Sequence, residues 1–354
     1  MNQASNVKKR VEWVDFAKAV AIAAVIFGHC LPLGVFSRSF IYSFHIPMFF
    51  ILSGYTMRFA ENLPDALRRI GKDIKHLIVP YLILSVANAI LLLLTRYFVN
   101  HQSAAELLSF MKKYLYSTFL GNGNGIHRLD YTTPGVLWFL IALFWARSIV
   151  HLVGAVTSLK GKNQEHKYVF SYVILFGIGF LGMYMGSHQI CPPAFLDTAL
   201  VAVLFLAVGM LAHQYSQKLS AIKLPLFVVC FLLWVYTLLH GKNIDFIFRQ
   251  YPYYGMIALV AVGATYVICV ICGFFCKTKY IKKPVLFIGQ NTLIILGIHY
   301  LEMGNISTKI LWNHGVWWQA ALLRVLIDVI AGMIVAYLWQ RIKRSRNENI
   351  TSNK

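Results

Sequence analysis

The chain has 354 residues, of which 58% are hydrophobic and only 13% are charged. Soluble domains carry about 25% charged residues, so this composition excludes a protein that faces water on every side. The formal net charge of +20 would indicate nucleic-acid binding in a soluble protein. Because the basic residues cluster between apolar runs, we attribute the charge to membrane topology and expect no nucleic-acid partner.

Apolar runs recur along the whole sequence, and each is long enough to cross a hydrocarbon core of about 30 Å as a helix. Backbone groups in lipid must be satisfied internally, and these runs lack the alternation of barrel strands. The sequence therefore predicts an all-α, polytopic membrane protein surrounded by membrane lipid. Ten spans are predicted, at residues 11–33, 41–59, 77–97, 135–158, 168–187, 194–214, 224–240, 253–276, 285–302 and 317–340.

The distribution of Lys and Arg sets the orientation of these spans. With the N-terminus in the cytoplasm, the inner segments hold 22 basic residues and the outer segments hold 8. This bias predicts that both termini are cytoplasmic, in a multi-pass protein of the inner (plasma) membrane. We expect a cytoplasmic tail at residues 1–10, a single transmembrane domain at 11–340 and a basic cytoplasmic tail at 341–354.

The first span contains two ionisable residues, Lys18 and His29. Their spacing of eleven residues turns a helix by nearly three full turns, so they share one face and lie about 16 Å apart along the axis. We expect Asp15 to pair with Lys18 and keep it charged. Ionisable groups within a span are functional candidates, although snorkelling and helix packing remain the simpler alternative.

The second span carries His45 near its outer end and Ser53-Gly54 further inward. The short connection between the first two spans makes them neighbours, so His29 and His45 are predicted to share one depth. A neutral imidazole accepts a proton, which makes both candidate catalytic groups. Ser53-Gly54 offers a small polar surface, either for a slender ligand or for another helix.

Later spans add polar groups at the same predicted outer depth. Asp197 begins the sixth span, and His299 and Glu302 lie near the outer end of the ninth. A lone membrane histidine usually packs helices, but three histidines and two carboxylates at one level favour a site. The sequence predicts the depth of these five residues in the membrane, but it does not predict which of them lie side by side.

Other candidates carry a weaker signal. Trp138 lies near the outer end of the fourth span, and Arg128 precedes that span in the outer loop, so both are candidate acceptor contacts. A solvated pair of Arg128 with a neighbouring aspartate is an equal alternative. Arg324 is expected to pair with Asp328, four residues later on one helix. We expect no metal site.

Four segments of the chain form a recognisable set of motifs: WVDFAKAVAIAAVIFGH (13–29), SFHIPMFFILSGY (43–55), RRIGKDIKHLIVPY (68–81) and IGQNTLIILGIHYL (288–301). The first segment is the most specific, because ten residues separate its basic residue from its histidine. Together the segments resemble the membrane-bound acyltransferase-3 family, and above all its fucose 4-O-acetylase-like members, which O-acetylate bacterial cell-surface glycans.

The resemblance implies a ten-helix acyltransferase core with no bound cofactor, which uses acetyl-coenzyme A from the cytosol as its donor substrate. It implies an acceptor that is a sugar hydroxyl on a lipid-linked or exported glycan. The basic residue of the family's first motif corresponds to Lys18 and the histidine to His29. Many members have arginine where this chain has Lys18, and lysine contacts phosphate only as a point charge.

We therefore hypothesise that His29 is the general base or a transient acyl carrier, with other polar groups orienting it or the sugar. The predicted catalytic residues are His29, His45, His299 and Asp197. The predicted donor-binding residues are Lys18, Arg68, Arg69, Lys72, Lys75 and Ser53. The predicted acceptor-binding residues are Glu302, Arg128 and Trp138. The alternatives are a transporter or flippase that uses the same polar groups, and a membrane scaffold in which His29 is dispensable.

Overall fold

The computed structural model describes residues 10–31, 36–120, 135–158, 164–240, 244–305 and 317–352. Within these ranges the regular structure is helical, and the β-structure is confined to a single bridge between Asp245 and Gln250. The all-α prediction is confirmed. The predicted acceptor contact Arg128 lies outside the described residues.

The α-helices of the described residues follow one another along the chain in an order close to that of the predicted spans. They are α1 (Glu12–His29), α2 (Phe36–Tyr42), α3 (His45–Tyr55), α4 (Leu63–Asp73), α5 (Val79–Phe98), α6 (Ala104–Leu120), α7 (Trp138–Ser158), α8 (Gln164–Ser187), α9 (Leu196–Gln214), α10 (Ser216–Ala221), α11 (Lys223–Leu239), α12 (Gly255–Phe275), α13 (Lys279–Gln290), α14 (Thr292–Asn305) and α15 (Trp317–Ser352).

The described residues contain 6 helices that are long and apolar enough to cross a membrane, which supports a multi-pass protein. They lie at Leu63–Phe98, Gly135–Ser158, Tyr168–Ser187, Leu196–Gln214, Gly255–Phe275 and Trp317–Arg346. A seventh is obtained if α13 and α14, which are bent by 68° at their junction, form one broken span. The predicted count of ten and the positions of the termini stay predictions.

The predicted span at 41–59 differs most from the structure, because its continuous helix, α3, has only 11 residues. At 1.5 Å per residue this helix is about 16 Å long, roughly half of a hydrocarbon core. Pro47 lies in the first turn of α3, which is the part of a helix where proline causes no steric conflict. This position explains why α3 begins at His45 and not earlier. Helix α2 precedes it as a separate short element.

Helix α9 is the centre of the bundle, since most of its residues are buried and it packs against α3, α7 and α8. Glycines let α3 approach it closely. A Cβ on Gly54 would collide with the backbone of Leu206, and one on Gly209 would collide with the backbone of Ile51. Small residues at such crossings are typical of membrane helix pairs. The tight contact fixes α3, and with it Ser53.

Helix α1 contacts α2, α3, α12, α13, α14 and α15, so the residues on it are surrounded by protein on several sides. Its closest approach is to α13, where Gly289 faces the backbone of Asp15 without room for a side chain. The break between α13 and α14 at Asn291 redirects α14 toward the other end of α1. These contacts position Lys18 and His29 inside the bundle.

Candidate active site

A cavity of about 270 Å³ lies between α1, α3, α7 and α14, and we call it the chamber. Lys18 and His29 both line it, as expected for two residues on one face of α1. Ser53 and Trp138 line the chamber as well. The side chain of His29 is exposed to this space, whereas Ile26, one turn before it, is fully buried. The imidazole is therefore accessible to a molecule in the chamber.

A second cavity of about 270 Å³, the vestibule, lies at the N-terminal end of α1 and shares Lys18 and Thr56 with the chamber. Basic groups dominate its polar lining, among them Arg10, Arg58 and His213. Because the two cavities share lining residues, they adjoin. Together they reach from the basic end of α1 to His29.

A third cavity of about 150 Å³, the side cavity, shares Arg58 with the vestibule and Arg147 with the chamber. It is lined by Arg69 and Lys72, two of the predicted donor-binding residues. All three cavities include Thr56, which follows the last turn of α3. Positive charge thus surrounds the junction through which a ligand would reach the chamber.

The ammonium group of Lys18 is half-buried and forms no ion pair with any described residue. The expected pairing with Asp15 is therefore wrong. Asp15 is buried, and its Oδ2 has no hydrogen-bond partner among the described residues. Both residues line the vestibule, but they do not meet. An unpaired lysine at the junction of two cavities is available to an anionic ligand.

Arg147 lies at the same junction, although no role was predicted for it from the sequence. Its Nε and a terminal nitrogen each lie 2.9 Å from a carboxylate oxygen of Asp73, a bidentate pair. Another nitrogen donates to Ser53 Oγ at 3.1 Å. His151 Nε2 lies 3.5 Å from Asp73. The pair joins residues 74 positions apart, which is why no local pattern predicted it.

The four predicted donor-binding residues on α4 and the following turn divide into two groups. Arg69 and Lys72 line the side cavity. Arg68 and Lys75 are exposed and absent from its lining. Asp65 binds Arg68 at 2.5 Å and Arg69 at 2.8 Å, so it holds the two guanidinium groups at the start of the helix.

His299 lies next to His29, with ring centroids 5.6 Å apart. Its Nδ1 lies 2.8 Å from Oδ2 of Asp328, and both residues are completely buried. The expected pair of Arg324 with Asp328 is wrong, because Arg324 instead binds Glu302 through its Nε at 2.7 Å. Asp328 was not predicted as a site residue, because the expected ion pair with Arg324 explained its presence within the membrane.

Two predicted catalytic residues have other partners. His45 is buried, its Nδ1 lies 2.8 Å from the carbonyl oxygen of Ile41, and it does not line the chamber. Asp197 forms a buried ion pair with Arg249 at 2.8 Å and is also absent from the chamber lining. Their roles in catalysis stay predictions, but these contacts provide a structural account of each.

His299, Glu302 and Asp328 form a cluster of potential metal ligands. Ligand atoms of His299, Glu302 and Asp328 lie within 4.8 Å of one another. Glu302 is already neutralised by Arg324, and His299 is already bonded to Asp328. A guanidinium group within the cluster opposes a second cation, so hydrogen bonding describes this arrangement better than metal coordination.

Of the two predicted acceptor contacts that the structure describes, one lines the chamber and the other does not. Trp138 is 5% exposed, lines the chamber and has its ring stacked on that of Phe246 at an interplanar angle of 24°. It therefore forms an aromatic wall of the kind against which a sugar ring can pack. Glu302 is engaged by Arg324 and is not in the chamber lining.

Comparison with known proteins identifies one family. The family model described as an acyltransferase domain matches residues 11–340. No curated protein and no solved structure matches the chain.

Proposed function

Because the chain belongs to the acyltransferase-3 family, as the match over residues 11–340 shows, we propose that this membrane acyltransferase is an O-acetyltransferase. It transfers an acetyl group from cytosolic acetyl-coenzyme A to a sugar hydroxyl of a lipid-linked or cell-surface glycan. We place it in the inner (plasma) membrane. The observation that carries the proposal is the series of adjoining cavities from the basic end of α1 to the exposed imidazole of His29.

The donor half of this proposal rests on charge. Coenzyme A carries phosphate groups at one end and a slender thioester arm at the other. Lys18 is unpaired among the described residues, and Arg69 and Lys72 line the side cavity beside it. These cations attract the phosphates, while the chamber beyond is lined mainly by apolar side chains that suit the thin arm. Ser53 lies along this path.

The direction of entry follows from the proposed topology. The sequence places 22 basic residues on the side of the N-terminus and 8 on the opposite side. The vestibule includes Arg10 and Arg58, which belong to the basic side, so it opens toward the cytosol, where the donor is made. His29 lies at the opposite end of α1, nearer to an acceptor that arrives from outside.

In the reaction, His29 removes the proton from an acceptor hydroxyl while the oxygen attacks the carbonyl carbon of the thioester. The tetrahedral intermediate collapses, the carbon–sulfur bond breaks, and the coenzyme A thiolate leaves. The imidazolium of His29 returns the proton to the thiolate, so the products are a sugar acetyl ester and free coenzyme A. Alternatively, His29 carries the acetyl group between the two substrates.

The test is transfer by the purified protein in lipid nanodiscs, supplied with isotope-labelled acetyl-coenzyme A and a glycan extract. We expect label in the glycan, with release of one coenzyme A for each acetyl ester formed. Transport of an intermediate across vesicles with no labelled product would instead support a transporter or flippase. A scaffold would transfer nothing and would tolerate loss of His29.

A further inference from the structure

Two buried polar atoms beside His29 have no partner among the described residues: Nε2 of His299 and Oδ1 of Asp328. We propose that His299 and Asp328 are positioning residues for His29, with Asp328 holding His299 so that its Nε2 accepts a hydrogen bond from the His29 ring. This inference rests on the proposed role of His29 as the base.

The contact with Asp328 determines which nitrogen of His299 carries its proton. A carboxylate only accepts hydrogen bonds, so the 2.8 Å contact with Nδ1 requires a proton on that nitrogen. In the neutral ring the second nitrogen, Nε2, then has a lone pair and no proton. His299 is 0% exposed, so water does not reach this acceptor from the surface.

An acceptor that is buried without a partner is energetically unfavourable, so a nearby donor is favoured as its partner. The ring of His29 is 5.6 Å away, centroid to centroid, and its side chain is exposed to the chamber. A rotation of that ring brings a His29 N–H toward His299 Nε2. The surrounding core need not move, because the imidazole borders open space.

The neighbouring ion pair explains why Asp328 is left for this role. Arg324 is one turn before Asp328 on α15, but its guanidinium binds Glu302 on α14. The two acidic groups thus have separate partners, a guanidinium for Glu302 and an imidazole for Asp328. Because Arg324 is bound to Glu302, the carboxylate of Asp328 has only the imidazole of His299 as a hydrogen-bond partner among the described residues.

This arrangement prepares His29 for proton transfer. With one nitrogen donating to His299, its other nitrogen is unprotonated and faces the chamber as the acceptor. When His29 takes the hydroxyl proton, its positive charge is stabilised through His299 by the carboxylate of Asp328, by the logic of a serine-protease triad. His29 then gives the proton to the thiolate. His299 and Asp328 neither gain nor lose a proton over the cycle.

The kinetic test compares Asp328→Asn, His299→Gln and the double variant in nanodiscs, with labelled acetyl-coenzyme A. We expect each single change to lower kcat roughly 10- to 100-fold without changing KM for the donor, as loss of an orienting group does. The double variant should be no slower than His299→Gln, because Asp328 acts only through His299. Tyr114→Phe is the control, since it removes a buried hydrogen bond to Tyr300, beside His299, without touching the three residues.

A spectroscopic test is independent of turnover. In protein with ¹⁵N-labelled histidine, Asp328→Asn should shift the ring signals of both His299 and His29. The signals that disappear in His299→Gln belong to His299, and those that disappear in His29→Ala belong to His29. Unchanged ring signals, wild-type kcat in Asp328→Asn, or losses that multiply in the double variant would each overturn the inference. A wild-type protein that transfers no acetyl group would instead overturn the proposed function on which it rests.

Discussion

Two regions of the molecule hold ionisable groups within the bundle, and they differ in whether those groups have partners. Asp197 and Arg249 are 1% and 4% exposed and are bound to each other at 2.8 Å. In the chamber, Lys18 has no ion pair among the described residues and His29 is exposed to a cavity. Buried charge alone therefore does not identify a site in this protein. We expect an unpaired group that faces open space to be the better indicator of a site.

The largest effect that tests this contrast is expected from His29→Ala. Removal of the base should lower kcat by about 10²–10⁴-fold. The melting temperature should fall by no more than the loss of one buried hydrogen bond to His299 explains, because the imidazole borders a cavity and supports little other packing. Acetyl transfer and thermal unfolding of the same purified sample measure both effects. His188→Ala, which alters an exposed histidine at the end of α8, is the matched control.

The opposite pattern is expected from Asp197→Ala. It leaves the guanidinium of Arg249 buried and unpaired, which typically costs about 3–5 kcal/mol. The unfolding free energy in detergent should fall by about that amount, while kcat per folded molecule changes less than about threefold. A large fall in kcat with unchanged stability would return Asp197 to the catalytic group.

A smaller effect is expected from Lys18→Gln. Loss of an unpaired cation at the junction of the chamber and vestibule should raise KM for acetyl-coenzyme A about tenfold, or about 1.4 kcal/mol. KM for the acceptor should not change, and Lys18→Arg should keep most of the affinity for the donor. Lys218→Gln, an exposed lysine on α10, is the control. Equal effects on both substrates would exclude a donor-specific role.

The smallest effects separate two adjacent arginines. Arg69 lines the side cavity, so Arg69→Gln should raise KM for acetyl-coenzyme A a few-fold. Arg68 is 66% exposed in its pair with Asp65, and exposed pairs contribute about 0–1 kcal/mol. Arg68→Gln should therefore leave donor KM and stability nearly unchanged. An effect of Arg68 on KM as large as that of Arg69 would extend the donor surface beyond the side cavity.

Much of this architecture could be predicted from the sequence, because helix and depth are local properties. Apolar run length predicted the helical fold, and the spacing of Lys18 and His29 predicted that both face one space. The length of α3 was mispredicted, because the apolar run in the sequence continues past both ends of the helix. Pro47 lies at the start of the helix, and Gly54, which contacts α9, lies at its end.

The partners within the bundle could not be predicted, because depth does not determine which helices touch. Asp328 bonds His299 across 29 residues of chain, and Asp197 bonds Arg249 across 52. Both contacts depend on the lateral order of the helices. The local alternative, Arg324 with Asp328 at i+4, satisfied the sequence pattern but not the structure, in which Glu302 competes successfully for the guanidinium.

A cryo-electron microscopy structure of the protein with a non-hydrolysable acetyl-coenzyme A analogue bound would show whether the donor reaches His29 through these cavities. We expect the phosphates within hydrogen-bonding distance of Lys18 and of Arg69 or Lys72, with the acetyl group in the chamber beside His29. A donor bound elsewhere, or one whose acetyl group points away from His29 while the enzyme is active, would contradict this expectation.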